Sequence, residues 1–303
     1  MLSKMANSKT RISLLGVVVL LISVYGLVSF FIAQGVTKAG RDPQEDHPSN
    51  YGLEYEDVEF PSRREDVMLS GWYLPAGAGP NLIFVHGIGS VRSGDNAVAL
   101  AARMVAEGYN VLMFDLRGHG SSEGDKVSGG YFERWDVLGA FDYLSERGAA
   151  PGSTGLIGFS MGAATSILAA AEEPLISALV ADSPYADASD LIARESARKT
   201  PIPGWLTPIF IPAAKLWAKG IYGIDIGVLV PERAVASLGY PILVIHGTGD
   251  QRIPWEQGQR VAEAAPDGSD LWLAPDVDHV DAFLTYPDEY EDRVSKYLGS
   301  RLK

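Results

Sequence analysis

The pattern G-x-S-x-G occurs twice, as Gly120-Ser121-Ser122-Glu123-Gly124 and as Gly158-Phe159-Ser160-Met161-Gly162. A serine in this pattern acts as a nucleophile where a strand runs straight into it and a helix leaves it, so that the hydroxyl projects from a strained turn. The residues around Ser160 meet that need. Thr154 to Phe159 is apolar and β-prone, and Met161 to Ala171 is rich in alanine, a strong helix former. Ser122 lies in a run of glycine, serine and charge and reads as a turn residue. A serine hydroxyl is a poor nucleophile at neutral pH unless a base takes its proton and a carboxylate holds that base in the right tautomer. Acyl transfer through Ser160 therefore calls for a histidine and an acid.

Five histidines are present. His47 lies in a polar stretch, His86 and His246 end apolar runs next to glycine, and His119 sits in the loop Asp115 to Gly120. Only His279, in Asp276-Val277-Asp278-His279, follows the serine and both candidate acids, Asp182 and Asp250, giving the chain order Ser, acid, His. For the acid, Asp250 in His246-Gly247-Thr248-Gly249-Asp250 is preferred to Asp182, because it lies between nucleophile and histidine in sheet order. Asp276 and Asp278 read as solvated loop charges. An oxyanion hole needs two N–H donors: Met161 opens a helix, where the dipole favours negative charge, and the loop His86-Gly87-Ile88-Gly89 supplies the second, Ile88 before Gly89.

These residues need a frame that brings strand ends together. Short apolar runs bounded by Gly, Pro or Asp occur at 81–85, 110–114, 155–159, 177–181, 241–245 and 271–273, as expected of strands buried on both faces. Helix-like stretches at 95–107, 131–147 and 161–171 alternate with them, and residues 67–74 read as an early antiparallel strand. The alternation predicts an α/β fold with a mostly parallel sheet and chemistry at the carboxyl ends of its strands. About sixty residues separate Asp182 from Pro241, far more than the ~2–6 of an ordinary connection. A helical cap insertion at about 187–236 is expected. Its aromatics serve burial against the body or, for Trp205, Phe210 and Trp217, contact with substrate.

Ahead of this body, residues 12–37 carry no charge, and the stretch from Leu14 to Ala33 is long enough to cross a hydrocarbon core of ~30 Å. A cleavable signal is the competing reading, with small residues at Ala33-Gln34-Gly35. Its apolar core would span only ~7–15 residues, so length favours a retained anchor. Lys4, Lys9 and Arg11 precede the span, whereas Lys38 and Arg41 are soon followed by Asp42, Glu45 and Asp46. The positive-inside bias predicts a cytoplasmic tail (1–11), a transmembrane signal anchor (12–34), a linker (35–50) and an extracytoplasmic body (51–303), secreted if the anchor is cleaved.

Composition narrows the function. Residues 1–41 hold five basic residues and no acidic one, so the remainder carries 20 basic against 38 acidic residues, a net −18. That charge opposes nucleic-acid binding. The absence of cysteine excludes disulfides, thiolate zinc sites and a cysteine nucleophile. No metal-ligand spacing is visible, and Gly87-Ile88-Gly89-Ser90-Val91-Arg92 lacks the third glycine of a dinucleotide fingerprint, so no cofactor is expected.

Through His86-Gly87, Asp115 to Ser121, the turn at Ser160, Asp182-Ser183-Pro184-Tyr185, Asp250 and His279, residues 55–300 resemble the α/β-hydrolase superfamily. The likeness is to its serine-hydrolase branch with serine aminopeptidase-like and monoglyceride lipase-like proteins, some tethered by an N-terminal membrane segment. It implies the α/β-hydrolase fold and cleavage of an ester, thioester or amide bond in a small-molecule ester, lipid or peptide substrate. It does not name the substrate. The lipases' longer glycine run in the oxyanion loop is absent. The alternatives are an aminopeptidase-like serine peptidase and a binding protein that keeps the fold without the chemistry.

Overall fold

The computed structural model describes residues 2–35, 41–44 and 46–302; Lys38 and Glu45, and with them part of the expected linker, lie outside the described residues. The described chain divides into two compact units. One unit combines the N-terminal helix with residues 189–227, and the other holds the remainder.

The larger unit is built on an eight-stranded sheet: β1 (Glu56–Pro61), β2 (Met68–Leu74), β3 (Asn81–Val85), β4 (Asn110–Phe114), β5 (Thr154–Phe159), β6 (Ile176–Asp182), β7 (Leu243–Gly247) and β8 (Asp270–Ala274). Their spatial order is 1-2-4-3-5-6-7-8, with only the β1–β2 and β2–β4 pairs antiparallel. Strands β3, β4, β5 and β7 are buried at every position, as their unbroken apolar sequences require. β1 was not foreseen. Its sequence alternates charge with Val58 and Phe60, which alone point inward, as suits an edge strand.

The helices are α1 (Leu2–Gly35), α2 (Ala97–Ala106), α3 (Glu133–Glu146), α4 (Met161–Glu172), α5 (Ala188–Lys199), α6 (Thr207–Tyr222), α7 (Pro231–Ala234), α8 (Trp255–Ala264), α9 (Ala282–Thr285) and α10 (Pro287–Arg301). Two buried clusters lie on the two faces of the sheet. One joins Val137, Leu138, Ile167 and Val261 of α3, α4 and α8, and the other joins Leu100, Met104, Val294 and Leu298 of α2 and α10.

The body starts before the Tyr51 expected from the sequence. Arg41 donates hydrogen bonds to the carbonyls of Gly120, Ser122 and Gly124, and Gln44 donates to the Asp115 carboxylate. The polar composition that reads as linker is spent on fixing these residues to the 115–124 loop.

In the smaller unit α1 and α6 lie side by side. Tyr25 Oη donates to the Ile209 carbonyl at 3.0 Å, and Trp217 Nε1 donates to the Gly26 carbonyl at 3.0 Å. Tyr25 stacks on Phe210, and Phe30 meets Trp217 edge to face. Residues 14–35 of α1 are long and apolar enough to cross a membrane.

Candidate active site

Ser160 stands between β5 and α4 with φ 55° and ψ −119°, a backbone region that L-residues rarely occupy. The turn is possible because its neighbours lack side chains. A Cβ on Gly162 would lie 2.1 Å from the Val85 carbonyl oxygen, and one on Gly158 would lie 2.6 Å from Ala163 Cα. Ser160 N–H donates to the Asp182 carbonyl at 2.8 Å, tying the turn to the neighbouring strand.

His279 follows β8 and Asp250 follows β7, and their two loops are laced together. Asp278 Oδ1 accepts from the N–H groups of His279 and Gln251, and Gly249 N–H donates to the Val277 carbonyl. The expectation for Asp278 thus needs correction: it is exposed, but it bridges the acid loop and the histidine loop. Val280 carries a φ of 62°, so strain is stored beside the histidine as well as at the serine.

These loops bring the three side chains into line. Ser160 Oγ lies 2.8 Å from His279 Nε2, and His279 Nδ1 lies 2.6 Å from Asp250 Oδ2. A carboxylate at Nδ1 fixes the proton there, which leaves Nε2 free to accept the serine hydroxyl's proton. Asp250 Oδ1 accepts the N–H groups of Arg252 and Ile253, each at 2.8 Å. Burial alone would raise this carboxyl, but hydrogen bonds from His246 and His279 and from Ile253 N–H hold it well below the usual range. It is an anion at neutral pH.

Asp182, the rival acid, is bonded elsewhere. Its Oδ2 accepts from Tyr290 Oη at 3.0 Å and its Oδ1 from Ser183 Oγ at 2.9 Å. Burial, opposed by these two hydrogen bonds, raises its pKa to about 6. Ser122 is likewise structural: its hydroxyl donates to the Asp115 carbonyl and accepts Ser70 N–H.

The loop after β3 lies against the serine. A Cβ on Gly87 would sit 3.1 Å from Ser160 Cβ and 3.6 Å from Oγ, so a glycine there permits close approach. Gly89 N–H is engaged with His119 Nε2 at 3.2 Å, whereas Ile88 N–H has no partner among the described residues. His86 Nε2 accepts Leu116 N–H while its Nδ1 faces the Gly87 carbonyl at 2.7 Å. Burial, with the nearby His119, pushes His86 down to about 4, so His86 serves as a neutral brace of this loop.

Sequence reasoning missed His246. Its buried Nε2 lies 3.2 Å from Asp250 Oδ2 and 2.9 Å from the Ile253 carbonyl. The i,i+4 spacing from His246 to Asp250 across two glycines was the available signal. Of the cap aromatics, Phe210 stacks on Tyr25 and Trp217 meets Phe30 of α1, and Trp205 is 78% exposed. No group of three or more metal-ligating side chains occurs among the described residues.

A family model described as the alpha/beta hydrolase fold matches residues 80–223, across the loop after β3 and the turn at Ser160. The chain has the α/β-hydrolase fold. The Pyrococcus furiosus esterase Pf2001 superposes with a TM-score of 0.72 at 28% identity, over 88% of this chain and 98% of that one. The uncharacterised protein YfhR of Escherichia coli is 28% identical over 256 residues, 82% of this chain and 81% of YfhR. The lysophosphatidylserine lipase ABHD12 of Danio rerio is 26% identical over 199 residues, 63% of this chain and 49% of that protein. An esterase and a lipase are thus among the proteins this chain is similar to, which supports hydrolase activity.

Proposed function

We propose that the protein is a membrane-anchored serine hydrolase that cleaves an acyl ester through a covalent intermediate. The observation that carries this reading is the chain of contacts from Ser160 Oγ through His279 to Asp250, 2.8 and 2.6 Å long. Ser160 Oγ attacks the substrate carbonyl carbon as its proton passes to His279 Nε2. The carbonyl's oxygen, now negative, is held by the N–H groups of Met161 and Ile88. The tetrahedral species collapses, the carbonyl re-forms, and the leaving alkoxide takes the proton from His279. A water then repeats the sequence on the acyl-serine, with His279 again as base, and releases the acid. Asp250 stays ionised throughout and stabilises the imidazolium.

The esterase and lipase relatives favour an ester over an amide, and the lipase relative together with the apolar α1 favours a lipid-like ester. The N-terminal charges favour a cytoplasmic start of the chain and an extracytoplasmic larger unit. Turnover of short acyl esters and monoacylglycerols by the full chain, beside aminoacyl amides, tests the reading. Ester turnover lost in Ser160→Ala is the expected result. Unchanged turnover in that variant would overturn it, and a preference for aminoacyl amides would replace the esterase by a peptidase.

A further inference from the structure

Residues 196–224 differ in charge from the chain around them. They contain no Asp or Glu and four basic residues, Arg198, Lys199, Lys215 and Lys219, of which Arg198 pairs with Glu195 and Lys219 with Asp225 at the segment's edges, whereas residues 42–303 together carry −18. Exposed apolar side chains collect in the same place. Among the described residues, ten large hydrophobic side chains outside α1 are exposed, and half of them lie between residues 205 and 221: Trp205, Ile209, Leu216, Trp217 and Ile221. A soluble surface rarely gathers such a patch without something to cover it.

The faces of α6 are sorted. At 100° per residue, Thr207, Ile211, Ala214 and Ala218 share one face, and all four are buried. Ile209 and Leu216 project on the opposite side, 55% and 74% exposed. Lys215 and Lys219 lie to one side of that outward stripe, and Phe210 and Trp217, which touch α1, lie to the other. The outward stripe therefore lies alongside the part of α1 that holds Tyr25 to Phe30, where Val24, Leu27 and Phe31 are 49–58% exposed.

The α1–α6 contact is also of the kind that holds in hydrocarbon. Tyr25 Oη and Trp217 Nε1 each donate to a backbone carbonyl of the other helix. Such reciprocal pairing satisfies polar groups that lipid cannot solvate. Tyr25 lies ten residues, ~15 Å of helix, before the end of the span at Gly35.

We propose that α6 is a second membrane-contacting element. It lies in the bilayer half that holds Tyr25 to Gly35, with Ile209 and Leu216 among the acyl chains and Lys215 at anionic headgroups. This rests on the reading of α1 as a membrane span. The pairing with α1, itself long and apolar enough to cross a membrane, and the reciprocal carbonyl contacts select a lipid surface over a second copy of the chain.

The absence of cysteine makes a direct test possible. Single variants Leu20→Cys in α1, Leu216→Cys in α6 and Leu175→Cys on the larger unit are labelled with a polarity-sensitive dye. Each full chain is reconstituted in vesicles of phosphatidylcholine and phosphatidylglycerol. All three positions are exposed, so thermal melting of each variant should match the parent. The proposal expects a blue-shifted emission at positions 20 and 216 that spin-labelled lipid quenches and aqueous iodide does not, with the reverse at 175. Quenching of position 216 by iodide while position 20 responds to lipid would overturn the proposal and leave the span reading intact. Shelter of position 216 from both quenchers would also overturn it, in favour of a contact between copies. Iodide quenching at position 20 would overturn the span reading and the proposal with it.

Discussion

His246 and His279 converge on the same atom, Oδ2 of Asp250, at 3.2 and 2.6 Å. The ring of His246 fits there because residue 258, on the facing helix α8, is glycine; a Cβ at Gly258 would lie 2.3 Å from His246 Nδ1. A buried donor on the back of the carboxylate fixes its orientation and keeps it charged, so His246 is a positioning residue. His246→Leu is expected to lower kcat for an ester about 10-fold, matching the ~1.5 kcal/mol of a hydrogen bond to a charged group. The acid limb of the pH–rate profile should move upward as Asp250 loses a stabilising donor, and His246→Gln should recover part of the loss. A profile that falls uniformly without shifting would point to a packing role alone.

The glycines of the serine turn are set by sterics. Gly162→Ala must displace the Val85 backbone, and a loss of more than about 3 kcal/mol in denaturant unfolding is expected. Gly299→Ala, in α10 with open space around it, should instead be neutral or gain roughly 0.5–1 kcal/mol from helix propensity. Similar midpoints for the two variants would contradict the geometry of the turn.

Ser122 repeats the sequence pattern of Ser160 without its surroundings. Ser122→Ala leaves the Ser70 N–H without an acceptor and should cost about 1–3 kcal/mol of stability. Its kcat for an ester should stay within about 3-fold of the parent, since less than ~1 kcal/mol of barrier is at stake. Loss of turnover in the folded variant would show that the 115–124 loop does more than brace.

Asp182 gives a pH test with a defined sign. Its folded pKa, raised by burial to about 6 from an ordinary 3.8, means that the folded state binds more protons than the unfolded state between those values. Stability therefore falls as pH rises through that window. Asp182→Asn removes the ionisation, so the difference in stability between variant and parent should move in the variant's favour by about 2–3 kcal/mol from pH 4 to pH 8. Melting temperatures at the two pH values check this, and a difference independent of pH would refute it.

What the sequence made legible was local. Ser160 stands out because the strand before it, the helix after it and the glycines on both sides lie within a dozen residues. His279 follows from chain order. Asp182 ends β6 and Asp250 lies in the loop after β7, and only the hydrogen bonds that each carboxylate makes separate them. His246 was hidden because a histidine ending a strand next to glycine looks the same whether its ring meets a catalytic acid or a backbone carbonyl. The partner of the cap aromatics was illegible for a related reason. Trp217 meets Gly26 across 191 residues, and an aromatic helix face carries the same composition whether protein or lipid covers it. The edge strand β1 did leave a signal, alternation with a period of two at Val58 and Phe60, beneath a high density of acidic residues.

The central claim is that the serine at the β5–α4 turn is an activated nucleophile. Treating the full chain with a fluorophosphonate and locating the adduct by peptide mass spectrometry tests it most directly, with Ser160→Ala, Asp250→Asn and Ser122→Ala alongside. The account predicts one adduct, on Ser160. It should be absent from Ser160→Ala, form far more slowly in Asp250→Asn because the imidazole loses its preferred tautomer, and remain in Ser122→Ala. An adduct on another residue, or a folded parent protein that takes up no probe, would contradict it.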